Sequence, residues 1–393
     1  MPAESFAPSD DAHAVGASLR HLPGMVCFDD VTASGRWGGE WVAALPDHVM
    51  SGTLSAGTPP VPAPGEFWAG TIDYEGAWRF SRFPAWLHRP APGMAWCATG
   101  GLAGQCKINP YQTIPLPVDW KAGISREDYM AMVLRAKEYI AAGDIYQVNL
   151  AHRFAATWRE APDAWAMYTR LRGISPAPHA AYLDQGDRVV LSASPETLID
   201  RQGRTLFTRP IKGTRPRGDT PQADLALSDA LRHCAKERAE LVMITDLERN
   251  DLGRVAVTGS VNVEELCALE SFPQVHHLVS RVAAELRPGV SWPGIWEAIF
   301  PGGSITGAPK KRAIEIISEL EPQPRGLYTG AIGWMFGPDR ACFSIAIRTA
   351  VLAGSTVHFH AGAGIVEGSD PAAEFDETHH KAIGLIRAIL APD

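Results

Sequence analysis

The residues with most chemistry to offer are Lys212, Glu196 and two helical pairs of glutamates. Lys212 follows an apolar, strand-like run in LFTRPIKGTRPRG (206–218) and stands beside Gly213, ahead of a basic, proline-broken loop. An amine there is either a solvated loop charge or a nucleophile. The second use requires it to be neutral part of the time, which takes burial or neighbouring cations. Glu196, in SASPETL, follows a proline inside a strand region. A carboxyl fixed and partly buried in that way has the raised pKa of a general acid, whereas on the surface it is an ordinary carboxylate. Glu237 and Glu240 in KERAEL, and Glu374 and Glu377 in AEFDET, are each three residues apart and share a helix face. Carboxylates from two separate helices can hold a hard divalent cation; a solvated charged stripe has the same spacing. Lys381 lies one turn beyond Glu377.

Other segments offer positive charge or open backbone. GGSITGAPK carries Gly302 and Gly307 at phosphate-loop spacing, but Ala308 and Pro309 stand where a nucleotide loop needs Lys and Ser or Thr. What remains is backbone N–H at a helix start beside Lys310, which suits an anion such as a carboxylate; a plain glycine turn fits equally well. Arg348 sits in the apolar run IAIRTA, where it must reach solvent or pair with an anion. Ala361, Gly362 and Gly364 thin out the strand HAGAGIV, either for a ligand or for a bulge. Asp246, Arg249 and Asp251 in DLERNDLGRV read as a capping and ion-pair network.

The elements that must position these groups follow from periodicity and breakers. Residues 1–118, with Trp37, Trp41, Trp68, Trp78, Trp86 and Trp96 among short runs broken by Gly and Pro, read as a mostly β region; 119–393 reads as a second region. Ser125 opens a helix with capping-box spacing, and Tyr129, Val133, Ala136 and Ile140 carry it to Gly143. RVVLSASPETLID and TLFTRPIKGT read as adjacent strands about the turn RQGR, and 224–247 as one long amphipathic helix. The glycine loop runs into a helix from Pro309 to before Pro322. YTGAIGWMF, CFSIAIRTAVL and TVHFHAGAGIV read as strands, and 369–390 as a closing helix with Phe375, Ala382, Ile383, Ile386 and Ile389 on its apolar face.

A chain of 393 residues, 46% apolar, can bury one large core or two ordinary ones. No apolar run approaches the roughly 20 residues of a membrane span, and the first twenty residues lack a signal-peptide core, so a cytoplasmic protein without membrane contact is expected. The formal charge of −8 argues against a nucleic-acid surface. Cys27, Cys97, Cys106, Cys234, Cys267 and Cys342 form no C-x-x-C pair, which fits reduced thiols.

Taken in order, SASPE, RPIKGT, KERAEL, DLERNDLGRV, HHLVS, PGGSITGAPK, YTGAIG, IAIRT and AGAGIVEGSDPAAEFDET resemble the chorismate-utilising enzymes over about 125–393. The resemblance implies an α+β fold, two large antiparallel sheets packed as a sandwich with helices outside, and a Mg²⁺-dependent reaction of chorismate, a dicarboxylate. It implies Glu240 and Glu377 as metal ligands with Glu374 and Glu237 close by. Arg348 and Tyr328, with the backbone of Gly362 and Gly364, would hold the enolpyruvyl carboxylate. Lys310 and the loop 302–307, Thr306 included, would complete the carboxylate site. Glu196 would protonate the leaving C4 hydroxyl, and His277 would be an active-site histidine, with His276 in a packing role. Residues 1–118 look like a short version of the component I amino-terminal part.

Within that family, enzymes that add water at C2 are similar to one another in a lysine base where this chain has Gln147, and an amide cannot take that proton. Anthranilate synthases carry a small residue where this chain has Lys212; aminodeoxychorismate synthases share P-I-K-G-T. The resemblance therefore implies amination of chorismate at C4 with Lys212 as a transient nucleophile at C2. It also implies the route to 4-aminobenzoate and folate, and a glutamine amidotransferase (glutaminase) partner as the ammonia source, since no glutaminase segment is recognisable. Amination at C2, as in anthranilate synthase, and a silent chorismate-binding subunit are the alternatives.

Overall fold

Strand-forming runs dominate the chain and close into two sheets whose pairings are all antiparallel among the described residues, which are 10–32, 34, 36–91, 94–100, 102–105, 113–272 and 274–390 of a computed structural model. The eleven-stranded sheet A is centred on Gln147–Thr157, Thr356–Ile365, Thr349–Ala353, Val189–Ser194 and His179–Asp184. The ten-stranded sheet B runs through Ile211–Pro216, Val275–Glu285, Thr205–Arg209, Thr197–Gln202, Arg340–Ile345 and Ala331–Phe336. Residues before 118 supply strands to both: Val26–Asp29 pairs with His179–Asp184 in sheet A, and Phe67–Ile72 pairs with Ala331–Phe336 in sheet B. The helices are α1 (Ala12–Leu19), α2 (Arg126–Ala141), α3 (Ala164–Ile174), α4 (Pro221–Arg232), α5 (Ala235–Gly253), α6 (Trp292–Ile299), α7 (Lys310–Leu320) and α8 (Pro371–Leu390).

The layers follow from which faces are apolar. Phe28, Trp41 and Val190 of sheet A meet Phe67, Ile332 and Trp334 of sheet B in one buried cluster, which is the sandwich core. Trp165, Leu171, Leu385 and Ile389 of α3 and α8 cover the outer side of sheet A, while Trp292, Ile295 and Trp296 of α6 cover sheet B. This is the α+β sandwich expected.

Several local readings hold and others change. Ser125 caps α2 through a hydrogen bond from the Asp128 N–H, and Gly143 follows its end at φ +82°. The long helix expected over 224–247 is two, α4 and α5, broken at His233 and Cys234, where the His233 ring meets the Asp229 carbonyl. RVVLSASPETLID is also two strands: Val189–Ser194 lies in sheet A and Thr197–Gln202 in sheet B, so Pro195 and Glu196 form the passage between sheets. The run around Arg348 behaves alike, passing from Arg340–Ile345 in sheet B to Thr349–Ala353 in sheet A, with Arg348 at φ +49° in the passage rather than within a strand. On α8 the buried stripe is Glu374, Thr378, Ala382, Leu385, Ala388 and Ile389, and Ile383 is exposed. Cys27, Cys97, Cys234, Cys267 and Cys342 are free; Cys106 lies outside the described residues. Among the described residues no helix is long and apolar enough to cross a membrane.

Candidate active site

The two passages between sheets open onto a cavity of about 570 Å³. Its wall includes Glu196, Lys212, His277, Tyr328, Arg348, Gly362 and Gly364, and its mouth carries Glu237, Glu240, Glu374 and Glu377. Eleven of the thirteen site residues named from the sequence thus meet in one place. Lys310 and Thr306 do not.

Lys212 owes its aim to a bulge. The pairing of Ile211–Pro216 with Val275–Glu285 slips between Lys212, opposite Leu278, and Thr214, opposite His277. The residue between them is Gly213, at φ +71°, where a Cβ would come 2.7 Å from Leu231 Cδ1 and 3.1 Å from Glu237 Oε2. A bulge of this kind re-aims a neighbouring side chain. From the facing sheet, Gly364 leaves room for the amine: a Cβ there would stand 3.7 Å from Lys212 Nζ and 3.2 Å from Gln147 Nε2. Burial, and then the nearby Lys381 charge, hold the Lys212 amine below its ordinary value, against the opposing pull of Glu240, Glu196 and Glu377. An amine so placed is neutral at lower pH than a solvated lysine.

Glu196 is buried at 4% exposure, and burial raises its carboxyl pKa against the opposing influence of Ser304, Lys212 and the Ile211 backbone. Ser304 faces it without closing a well-formed hydrogen bond, and Glu196 Oε1 and Ser304 Oγ both lack partners. A carboxyl in that setting keeps its proton to higher pH than a solvated one, as a general acid requires.

Arg348 brings an unspent cation to the cavity. Burial lowers its pKa, and no carboxylate or side-chain hydrogen bond answers its guanidinium among the described residues. An enclosed charge without a partner is costly, and a ligand anion would relieve it. Tyr328, 8% exposed, stacks on His360 with ring centroids 5.3 Å apart. His277 is 2% exposed; its Nδ1 meets Thr214 Oγ1 at 2.9 Å, and burial, followed by Arg348, brings its pKa down to about 4, so the ring is neutral. His276, in contrast, is tied to Ser271 and Asp224 through both ring nitrogens.

The acidic mouth comes from the N-terminal turns of α5 and α8, Glu237 and Glu374 in the first turn and Glu240 and Glu377 one turn further on. Burial raises the pKa of Glu240, with Lys212 opposing and Glu237 adding to it; burial likewise raises Glu374, with Ser369 opposing and Glu377 adding. Burial also pushes Glu377 up, but Lys381, whose Nζ stands 2.7 Å from Glu377 Oε1, outweighs it and holds the group below the ordinary value. Glu237 stands 3.5 Å from Arg215. Among the described residues, no three His, Cys, Asp or Glu side chains gather as a ready-made cation site. The donor set is nonetheless all oxygen, and two helices present it on one side of the cavity; this suits a hard cation that takes one or two carboxylates and completes its shell with water and ligand.

Lys310 is spent elsewhere: its Nζ donates to Asp251 Oδ2 at 2.5 Å, away from the cavity. Asp251 therefore pairs with Lys310 rather than with Arg249, which takes Asp246. The Thr306 hydroxyl donates to the Gly302 carbonyl at 2.9 Å. The loop is buried, not an open row of N–H groups, and Gly307 is needed for packing, since a Cβ there would come 2.1 Å from the Gln147 carbonyl. Gly362 answers to the same crowding, with a virtual Cβ 2.6 Å from the Leu150 carbonyl. Of the loop 302–307 named from the sequence, Ser304 and Ile305 do line the cavity, whereas sequence reasoning missed Asn149 and His360. His360 had a signal, lying two residues before Gly362 and hence on the same strand face.

Residues 105–387 match the family described as chorismate binding enzyme. The chain is 46% identical over 268 residues to aminodeoxychorismate synthase component 1 of Bacillus subtilis, covering 68% of this chain and 57% of that protein. It is also 46% identical over 271 residues to anthranilate synthase component 1 of Streptomyces coelicolor, covering 69% and 53%. The chain thus spans little more than half the length of these relatives. The crystal structure of anthranilate synthase component I from Streptococcus pneumoniae shares the fold with a TM-score of 0.76 at 26% identity, over 88% of this chain and 92% of that one.

Proposed function

The chain belongs to the chorismate-binding enzyme family, and on that premise we propose that it is an aminodeoxychorismate synthase component I, which turns chorismate and ammonia into 4-amino-4-deoxychorismate and water. The observation that carries this reading is the meeting of Lys212 and Glu196 in one cavity, an amine eased toward neutrality opposite a carboxyl eased toward protonation. In this reading Lys212 attacks C2 of chorismate while the C4 hydroxyl departs with the proton of Glu196. Ammonia then adds at C4 and the lysine leaves, so the new amino group ends at C4. Arg348 and Tyr328 hold the enolpyruvyl carboxylate, and neutral His277 lines the cavity beside Thr214.

Mg²⁺ fits the acidic mouth, with Glu240 and Glu377 as its protein ligands and Glu374 and Glu237 beside them. When bound it supplies the positive charge that holds the ring carboxylate. Lys381 donates to the Gly362 carbonyl at 3.1 Å and to Glu377, tying α8 to the strand behind the substrate. The ammonia comes from a glutamine amidotransferase subunit, and the product feeds 4-aminobenzoate and folate synthesis in the cytoplasm.

Relatives named anthranilate synthase match as well as those named aminodeoxychorismate synthase, so amination at C2 is the second reading. In it Lys212 is a bystander. Incubation with chorismate, Mg²⁺ and an ammonium salt, followed by mass and ultraviolet analysis of the product, separates the two. Anthranilate as the main product would overturn the first reading, and no consumption of chorismate would overturn both.

A further inference from the structure

Behind the cavity wall lies a buried ion pair that the reaction above leaves unused. Arg325 and Glu321 stand four residues apart just past the end of α7, with side chains 1% and 4% exposed. A buried pair of charges is weak support for a fold, because well-packed apolar side chains of similar volume often hold it as well. What Arg325 does with its five N–H donors is therefore informative. Nε and Nη2 donate to the two Glu321 oxygens, at 2.9 and 2.7 Å. Nη2 also donates to the Asn149 carbonyl at 2.7 Å, and Nη1 donates to the Ile305 carbonyl and to Thr329 Oγ1, each at 3.1 Å. Every donor is used.

The partners beyond Glu321 belong to the site. Asn149 and Ile305 line the cavity, and Thr329 follows Tyr328, which lines it as well. These segments come from distant parts of the chain, and one guanidinium ties them at a single point. Glu321 adds a second grip on the strand of Asn149, accepting from the Ala151 N–H at 2.9 Å. Thr329 sits at φ +61°, a backbone conformation that a β-branched residue adopts only under constraint. Its hydroxyl accepts from Arg325 and donates to the Tyr328 carbonyl at 2.5 Å, while its N–H donates to the carbonyl of Ala346, two residues before Arg348, at 2.8 Å. The Tyr328 ring stacks on His360 with centroids 5.3 Å apart, and the Arg325 Cζ is 5.6 Å from the same ring.

We infer that Arg325, neutralised by Glu321, is the positioning residue of the carboxylate site: it fixes where Tyr328 stands relative to Arg348 and to the wall at Asn149 and Ile305, without touching the ligand. The inference rests on the reading of Tyr328 and Arg348 as holders of the enolpyruvyl carboxylate. Two buried arginines then have opposite duties. Arg348, which no carboxylate answers among the described residues, meets the ligand. Arg325, with its charge matched and its donors used, holds the frame in place beforehand, so that less freedom is lost when the ligand arrives.

The test measures kcat, KM for chorismate and Tm, with ammonium and Mg²⁺, in wild type, Arg325→Lys, Thr329→Val and Tyr328→Phe, and in Tyr328→Phe combined with each of the other two. Lysine keeps a charge for Glu321 but brings three donors in place of the planar fork. Arg325→Lys should raise KM about tenfold and leave kcat within about threefold, since Lys212 and Glu196 are untouched. Thr329→Val keeps the ion pair, removes the hydroxyl that joins it to Tyr328, and should raise KM about threefold. On the Tyr328→Phe background each change should alter KM by less than about twofold, the non-additivity of residues that act through one another. A loss of packing alone would lower Tm and multiply KM equally in both backgrounds, and that result would overturn the inference. So would a Thr329→Val enzyme with unchanged KM, even where Arg325→Lys does not fold. KM is read from chorismate consumed, so anthranilate as the main product would remove C4 amination and leave this test standing. A wild type that consumes no chorismate would remove the reading of the site and the inference with it.

Discussion

The passages that carry Glu196 and Arg348 between the two sheets are hydrogen-bonded to one another: the Ile345 N–H donates to the Glu196 carbonyl at 3.0 Å, and the Ala193 N–H donates to the Arg348 carbonyl at 3.1 Å. Ser194 Oγ adds a third link, to the Ile345 carbonyl at 2.6 Å. The acid and the unpaired cation are therefore fixed on one rigid seam, with little backbone freedom to lose when a ligand binds.

Arg348→Met should separate stability from binding. Removing an enclosed charge without a partner should raise Tm in the absence of substrate, by a few degrees for about 1 kcal/mol. The same change removes a charge-assisted contact, and KM for chorismate should rise by about 10–100-fold. Steady-state kinetics beside a thermal melt give both numbers, and an unchanged KM would remove Arg348 from the binding site.

Lys212→Ala deletes the C2 nucleophile and leaves Glu196, Arg348 and the acidic mouth intact. Aminodeoxychorismate formation should fall by about 100-fold or more, with some C2-aminated product appearing as ammonia gains direct access to C2. Lys212→Arg should rescue nothing, because a guanidinium stays protonated. Mass spectrometry of wild type with chorismate and no ammonia should find an adduct on Lys212. Undiminished C4 amination in Lys212→Ala makes the lysine a bystander.

The pH profile of kcat/KM should be a bell. Glu196 must hold its proton and its pKa is raised from 4.5; Lys212 must lack one and its pKa is lowered from 10.5. Activity should rise and fall inside that window, with both limbs drawn inward from those ordinary values. Glu196→Gln should abolish turnover across the whole range, whereas a profile with limbs at or beyond 4.5 and 10.5 would contradict the burial of both groups.

Glu240→Gln and Glu377→Gln should each abolish Mg²⁺-dependent turnover, since each removes an anionic oxygen from a different helix of the acidic mouth. Chelation by EDTA should do the same to wild type and be reversed by added Mg²⁺. Near-wild-type turnover in both variants would refute the metal assignment.

Lys310→Met should weaken the fold and spare the site. It strands Asp251 in a half-buried position, at a cost of about 1–3 kcal/mol, visible as a lower urea midpoint. KM for chorismate should stay within about twofold of wild type. A large KM effect at unchanged stability would return Lys310 to the carboxylate site.

The sequence alone determined what is local or periodic: the cap at Ser125, the paired glutamates on single helix faces, the apolar strands, and the residue types that make Lys212, Glu196 and Arg348 worth noticing. These follow from 3.6-residue and 2-residue repeats and from side-chain chemistry, which short windows contain. Only the tertiary structure decided which candidates meet. Glu196 and Arg348 looked like strand residues because their apolar neighbours continue on both sides, yet each marks a change of sheet, and nothing within a dozen residues records which sheet a strand joins. Lys310 looked free for an anion because its partner, Asp251, is 59 residues away in the chain. Long-range contacts set burial, burial sets protonation, and protonation decides which of several plausible side chains can do the chemistry.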